Sequence, residues 1–324
     1  MIEFFLSNII DRNRTLKIDE IGGVDDIKIL ALDLGGTMIK SAIVDEDGQL
    51  SQENEVPSQG KQGGDKLLKN AISLVRQYTG YDRIGISTTG QVNIKDGSIR
   101  YANENVPCYT GKPVKELFQN EFHVPAAVLN DVHAAALGEA IYGAGKSYQD
   151  FLCLTYGTGV GGAIIINKQV YFGGFGVAGE FGHILTHAGG LECGCGQTGC
   201  YEQYASTTAL VKKALEANPE CVNGRVVFEK HYGRDNKIIQ IVDEWIEEIL
   251  LGLVTLIPVF NPQCIVLGGG IMNEDYILKT INGKIYGHLN PGHLGVKIVK
   301  AELGNRAGLL GASIWSIQPK GGCQ

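Results

Sequence analysis

Apolar runs separated by glycine-marked turns organise most of the chain. Lys28 to Leu34 is a short apolar run that reads as a buried strand, and the fold starts there, because residues 1 to 27 mix charged and apolar positions without a sustained period. After Gly35 and Gly36, Ile39 to Val44 is again strand-like. The cluster Asp45-Glu46-Asp47-Gly48 marks a turn before a third strand near Gln49 to Val56, so the three strands are expected to form an antiparallel meander. Residues 64 to 79 then place Leu67, Leu68, Ile72, Leu74 and Val75 at mostly helical spacing, ahead of the apolar strand Arg83 to Ser87. A crossover to a parallel strand follows from that order.

The same grammar returns later. Asp150 to Thr155 and Gly161 to Ile166 read as strands joined by the glycine-rich turn Gly157 to Gly162. Residues 236 to 260 carry a long helical pattern that ends before the breaker Asn261-Pro262. Cys264 to Leu267 is a strand running into Gly268, Gly269 and Gly270, and a final helix is predicted from about Ala307 to Trp315. Two halves of similar plan make the chain an α/β protein.

Composition narrows the function. A length of 324 residues exceeds one ordinary hydrophobic core, and roughly 150 residues per domain suggests two lobes. With 44% hydrophobic and 19% charged residues the balance is that of a globular chain, and the 45 glycines cluster in short motifs instead of repeating. A formal charge of −7, a pI near 5.6 and no lysine or arginine run leave no footprint for nucleic acid or anionic lipid. No window approaches the roughly 18 uninterrupted apolar residues of a membrane helix, so a cytoplasmic protein is expected. Of eight cysteines, three fall at Cys193, Cys195 and Cys200, which suggests a metal site in a reducing compartment more than a disulfide framework.

Two glycine turns carry the first chemistry. Asp33-Leu34-Gly35-Gly36-Thr37 leaves a strand and enters a hairpin, where glycines let backbone N–H groups approach phosphate oxygens, Thr37 offers a hydroxyl and Asp33 can hold a hydrated metal ion. The nucleotide-binding candidates of this hairpin are Asp33, Gly35, Gly36, Thr37 and Lys40. Thr155 to Gly162 repeats the design between two strands, with Thr158, Gly159 and Gly161 as candidates. Either turn alone reads equally well as a plain β-turn, whereas two facing each other would grip a polyphosphate from both sides. Neither is a Walker loop, which needs Gly-Lys-Ser/Thr, nor a dinucleotide fingerprint, which needs a following helix. Gly269, in the third glycine cluster, is a candidate for contact with adenine or ribose, with a helix-initiating turn as the alternative.

Asn130-Asp131 follows the apolar run Ala126 to Leu129 and precedes the alanine-rich helix Val132 to Ala140. Asp131 reads either as an N-cap or as the carboxylate that accepts a proton from an attacking alcohol in phosphoryl transfer. His183 with Cys193, Cys195 and Cys200 supplies one imidazole and three thiolates. That is a closed tetrahedral shell suited to structural zinc.

These segments resemble the ROK family, named for repressors, open reading frames and kinases, which uses the actin-like, ribonuclease-H-like ATPase fold of two lobes around a cleft. The resemblance spans about residues 28 to 318 and rests on D-L-G-G-T at 33 to 37, N-D at 130 and 131, T-G-V-G-G at 158 to 162, G-E-F-G-H at 179 to 183 and C-G-C-G-x-x-G-C-x-E at 193 to 202. It implies an ATP-dependent sugar kinase using Mg2+ and structural zinc. Asp131 would be the base, and Asn130, Glu180, His183 and Glu202 would be sugar contacts; Gly90 is a further candidate, as is Asn105 or Asn103 in Ala-Asn-Glu-Asn-Val-Pro, for which capping of the loop is an equal alternative. It further implies an N-terminal extension over 1–27, a small lobe over 28–131, a large zinc-bearing lobe over 132–306, a C-terminal helix over 307–324 returning to the small lobe, and a homodimer.

The chain also departs from the family pattern. His133 stands where the family often has Asn, and Thr89-Gly90 stands where many glucokinases have Pro-Gly. The second departure resembles members acting on N-acetylmannosamine or β-glucosides, which weakens plain glucose as the substrate. The expected reaction is phosphorylation of a hexose or hexose derivative at O6. The competing readings are a sugar-responsive repressor and a non-catalytic sugar sensor. A repressor needs a helix-turn-helix module ahead of the first strand, and 27 residues are too few for one.

Overall fold

The computed structural model describes residues 27–318. The expected N-terminal extension, Ile27 apart, and the last residues of the C-terminal segment, 319–324, lie outside the described residues.

In the first half, β1 (Ile29–Leu34), β2 (Met38–Val44) and β3 (Leu50–Pro57) form the expected meander. Helix α1 (Gly64–Val75) crosses over to β4 (Arg83–Thr88), which pairs parallel to β1. The helix stops four residues before the predicted 79, because Gln77 and Tyr78 turn back onto the carbonyls of Leu74 and Val75 and so break the helical ladder. A short hairpin, β5 (Gln91–Val92) and β6 (Ile99–Tyr101), precedes α2 (Val114–Phe122), β7 (Ala126–Asn130) and α3 (Asp131–Tyr142). The resulting sheet has the order β3-β2-β1-β4-β7.

The second half repeats the plan. β8 (Phe151–Tyr156), β9 (Val160–Ile166) and β10 (Gln169–Val170) form another antiparallel meander. Four helices follow: α4 (Glu202–Ala205), α5 (Thr207–Ala217), α6 (Gly224–Tyr232) and α7 (Asn236–Phe260). The long α7 begins where Asp235 accepts from the N–H groups of Lys237 and Ile238, ends at Asn261 in the left-handed region (φ 44°), and buries Trp245, Ile246, Ile249 and Leu253 on one face. β11 (Cys264–Gly268) returns parallel to β8, and after α8 (Asp275–Lys284) β12 (Lys297–Lys300) completes the order β10-β9-β8-β11-β12.

Helix α9 (Ala307–Ile317) closes the described chain on the first sheet, against β1, β4 and β7, and crosses α3 at very close range. A Cβ on Gly311 would stand 1.7 Å from the carbonyl oxygen of Ala134, so the two backbones touch where only glycine fits. Buried Glu139 of α3 locks the approach to this crossing by accepting from the N–H groups of Ala144, Glu302 and Leu303. Among the described residues, no helix is long and apolar enough to cross a membrane. The carboxyl ends of the parallel strands face a common opening, the usual location of ligands in α/β sheets.

Candidate active site

Between the two sheets lies a cleft of roughly 1370 Å³. Gly36 and Thr37 line it from the β1–β2 turn, Thr158, Gly159 and Gly161 from the β8–β9 turn, and Asp131, Asn105, Glu180, His183, Glu202 and Gly269 are the other predicted residues on its walls. A smaller cavity of roughly 200 Å³ adjoins it, shares Thr89, Asn103, Glu180 and His183 with it, and is lined also by Gly90 and Asn130. Asn103 thus faces both cavities and Asn105 only the larger. Gly269 (φ 99°) has a reason independent of any ligand: a Cβ there would lie 2.1 Å from the Tyr156 carbonyl oxygen.

Asn130, not Asp131, caps α3. Its Oδ1 accepts from the N–H groups of Val132 and His133 at 3.0 and 3.2 Å, and its Nδ2 donates to the Gly90 carbonyl and to Asp131 Oδ1 at 3.0 and 2.8 Å. All four hydrogen-bonding positions of the amide are used inside the protein. Asn130 therefore orients Asp131 and anchors the Gly90 turn. Asp131 occupies the first helical position on the cleft floor, with Oδ1 also accepting from Val132 N–H at 2.9 Å. Its accessible surface is that of a half-buried residue, but the carboxyl is packed round by protein. Burial first and the nearby Asp33 charge second push its pKa up to about 7, against the hydrogen bonds that favour the anion.

Asp33 accepts a hydrogen bond from Ser87 Oγ at 2.7 Å, a partner delivered by the parallel register that pairs the two residues. Burial raises its pKa, while Ser87 and the Lys40 charge oppose the rise. Lys40 sits opposite Asp33 in the β1–β2 ladder, and its charge acts on that carboxyl; Asp33, Gly35 and Lys40 are not among the cleft-lining residues, which begin at Gly36 in this hairpin.

On the other wall, Glu180 precedes the 3-10 turn Phe181–His183, and Glu202 opens α4. Glu202 Oε1 lies 3.9 Å from His183 Nδ1, and its Oε2 lies 3.4 Å from Val160 N–H in the second glycine turn. His183, Cys193, Cys195 and Cys200 converge, with all four donor atoms within 4.8 Å of one another. Cys193 Sγ is 3.7 Å from His183 Nδ1 and Cys195 Sγ is 3.5 Å from Cys200 Sγ, spacings that a small tetrahedral ion fits. His183 Nδ1 faces the cysteines, and Nε2 faces Glu180 Oε2 at 4.0 Å. The departure at His133 is structural here: the buried ring, its pKa lowered by burial, bonds the Ala178 carbonyl at 3.1 Å and packs edge-on against Phe172, holding the segment that leads to Glu180.

Several residues at the site were not singled out in the sequence. Ser87 reaches Asp33 through a long-range register that no local pattern announces. Lys61, on the 3-10 turn Gly60–Gln62, lines the cleft beside the first hairpin, and Gln91 lines the smaller cavity and bonds Glu180. The partner of Gln91 lies 89 residues away, so no local pattern announces it either.

Comparison with known proteins agrees with this geometry. The chain matches the ROK family over residues 29–319. A glucokinase of Streptomyces coelicolor is 34% identical over 311 residues, covering 90% of this chain and 98% of its own. An N-acetylmannosamine kinase of Pasteurella multocida is 31% identical over 291 residues, covering 89% of this chain and 96% of its own. The crystal structure of a ROK family glucokinase from Streptomyces griseus in complex with glucose and AMPPNP superposes with a TM-score of 0.78 at 31% identity, over 89% of this chain and 98% of that one. With two matching glycine hairpins, the Asn130-Asp131 pair and the His-Cys cluster in one actin-like ATPase fold, the chain belongs to the ROK family.

Proposed function

We propose that this sugar kinase transfers the γ-phosphoryl group of ATP to O6 of a hexose or hexose derivative, with Asp131 as the general base. The observation that carries the reading is the position of Asp131. Its carboxyl lies on the cleft floor with glycine hairpins on the phosphate side and Glu180, His183 and Glu202 on the other. A pKa near 7 makes it a stronger proton acceptor than an ordinary carboxylate while leaving it largely ionised above neutrality.

Backbone N–H groups of the two hairpins hold the phosphates, and Asn130 keeps Asp131 aimed at the attacking hydroxyl as it takes the proton. Asp33, held by Ser87, is placed to bind the hydration shell of Mg2+, which when present neutralises phosphate charge. Glu180 and Glu202 accept from vicinal sugar hydroxyls, and closure of the halves excludes water from the transfer. His183, Cys193, Cys195 and Cys200 fit zinc as a closed donor set, and a bound ion there would fix the ring of His183 and the loop ahead of Glu202 without activating water.

An ATP-coupled assay over glucose, mannose, N-acetylglucosamine, N-acetylmannosamine and simple β-glucosides tests the reading, with the product's phosphate position assigned by phosphorus–carbon NMR coupling. Turnover on at least one of these sugars with coupling to C6 is expected. Purified protein that transfers phosphate from ATP to none of them, or to a position other than C6, would overturn it.

A further inference from the structure

The short β5–β6 hairpin reaches from the first half across to the second. Gln91 Nε2 donates to Glu180 Oε1 at 2.8 Å, and the Arg100 guanidinium donates to the Phe175 carbonyl. The hairpin's own core does not need these bonds. Val92 and Ile99 are buried and pair with each other, whereas Gln91 is only half-buried and Arg100 is exposed, and both end on the other half of the molecule.

Glu180 is the partner that matters. It stands at the start of the 3-10 turn Phe181–His183, more than a third exposed, and among the described residues no side chain of its own half donates a hydrogen bond to it. A carboxylate on a turn samples several rotamers, whereas one anchored by an amide through Oε1 presents Oε2 in one place. That oxygen lies 4.0 Å from His183 Nε2, on the wall shared by the two cavities. The Gln91 amide is in turn fixed by the Gly90 turn, whose carbonyl accepts from Asn130, the residue that orients Asp131. A single path of hydrogen bonds and chain therefore joins Glu180 to Asp131 through Gln91, Gly90 and Asn130.

We propose that Gln91 is a positioning residue for the sugar: its amide holds the Glu180 carboxylate across the cleft and, with the bond from Arg100 to the Phe175 carbonyl, latches the two halves together when sugar is bound. The proposal rests on the reading above in which Glu180 contacts the sugar. Both bonds join opposite halves and would break if the halves moved apart, so a sugar that needs Glu180 in its fixed orientation binds the bonded arrangement better than a separated one. Differential affinity of this kind is what makes a ligand shift a conformational equilibrium.

The test is steady-state kinetics with the panel sugar of highest kcat/KM, on wild type, Gln91→Ala, Gln91→Glu and Glu180→Ala. Lys95→Ala, an exposed position at the tip of the same hairpin, is the control. Loss of one amide-to-carboxylate bond at a half-exposed site is expected to raise the sugar KM of Gln91→Ala about tenfold, with the ATP KM changing less than twofold. Gln91→Glu sets two carboxylates against each other and is expected to raise it further. Small-angle scattering should show a sugar-induced decrease in radius of gyration for wild type and Lys95→Ala that is smaller for Gln91→Ala. A sugar KM for Gln91→Ala within twofold of wild type, or sugar and ATP KM values rising in parallel with a lowered melting temperature, would overturn the latch. Glu180→Ala separates the two levels. If it binds sugar as tightly as wild type, the assignment of Glu180 as a sugar contact fails; if it loses affinity while Gln91→Ala does not, only the latch fails.

Discussion

Asp131 is held in a setting that disfavours its own charge. In the unfolded chain such a carboxyl titrates near 3.8, whereas in the folded protein burial and Asp33 raise it to about 7. Below pH 3.8 both states carry the proton and the residue costs no stability. The cost grows between those values and is complete above about 7. Asp131→Asn keeps an oxygen for the bonds from Val132 N–H and Asn130, so calorimetry should give it a higher melting temperature than wild type at pH 8, with the difference vanishing towards pH 4. The same substitution removes the proton acceptor, and kcat should fall by about 10² or more. In wild type, kcat/KM for the sugar should decline as pH drops below about 7, approaching tenfold per unit, in a profile recorded from pH 5.5 to 8.5. A dependence centred near pH 4 would contradict the environment described for Asp131. The residue pair also shows what a local pattern hides. Asn130-Asp131 announces a helix start, but only the coordinates show that Asn130 fills the capping role and leaves the Asp131 carboxyl facing the cleft.

At the scale of elements, the segment from Gly179 to Glu202 is mostly turn, with a 3-10 turn and two isolated bridges, Leu185 to Cys200 and Glu192 to Thr198. Phe181 and Tyr201 tie the two ends of this stretch into the core, while Leu185 and Leu191 between them are exposed, so a metal ion held by His183 and the three cysteines would cross-link the part that packing does not hold. Purified protein should contain about one zinc per chain by elemental analysis. Cys195→Ser, at an exposed position that leaves the buried packing alone, should lose most of that metal. Its sugar KM should rise more than its ATP KM, because Glu180, His183 and Glu202 lie within or beside the segment while the first glycine hairpin does not. Retention of full metal content would remove Cys195 from the donor set. The convergence of these four side chains was legible in the sequence because they are close together in the chain. The tie between Lys40 and Asp33 was not legible for the opposite reason: the two sit across a strand pair, and register decides which side chains meet.

For the molecule as a whole, the α3–α9 crossing joins the two halves, and small residues set how closely the helices approach. Gly311→Ala would force α3 and α9 apart or distort both, since its Cβ has no room beside the Ala134 carbonyl. Overpacking of this kind costs about 1–3 kcal/mol, so the melting temperature should fall by several degrees in a thermal scan, with kcat falling as the cleft walls lose register. An unchanged melting temperature would show that the crossing is looser than described. By itself the amino-acid sequence determined the first strand meander and the strand pair that repeats it, the glycine hairpins, the Asn130-Asp131 helix start and the cysteine-rich segment, because periodicity, turn chemistry and residue spacing are local properties of a chain. The tertiary structure alone decided that Ser87 serves Asp33, that Lys40 does too, that Asn130 is saturated within the protein and that Gln91 reaches Glu180 over a separation of 89 residues. Those relations depend on strand register and on the approach of two halves, and long-range geometry of that kind leaves no period in the sequence.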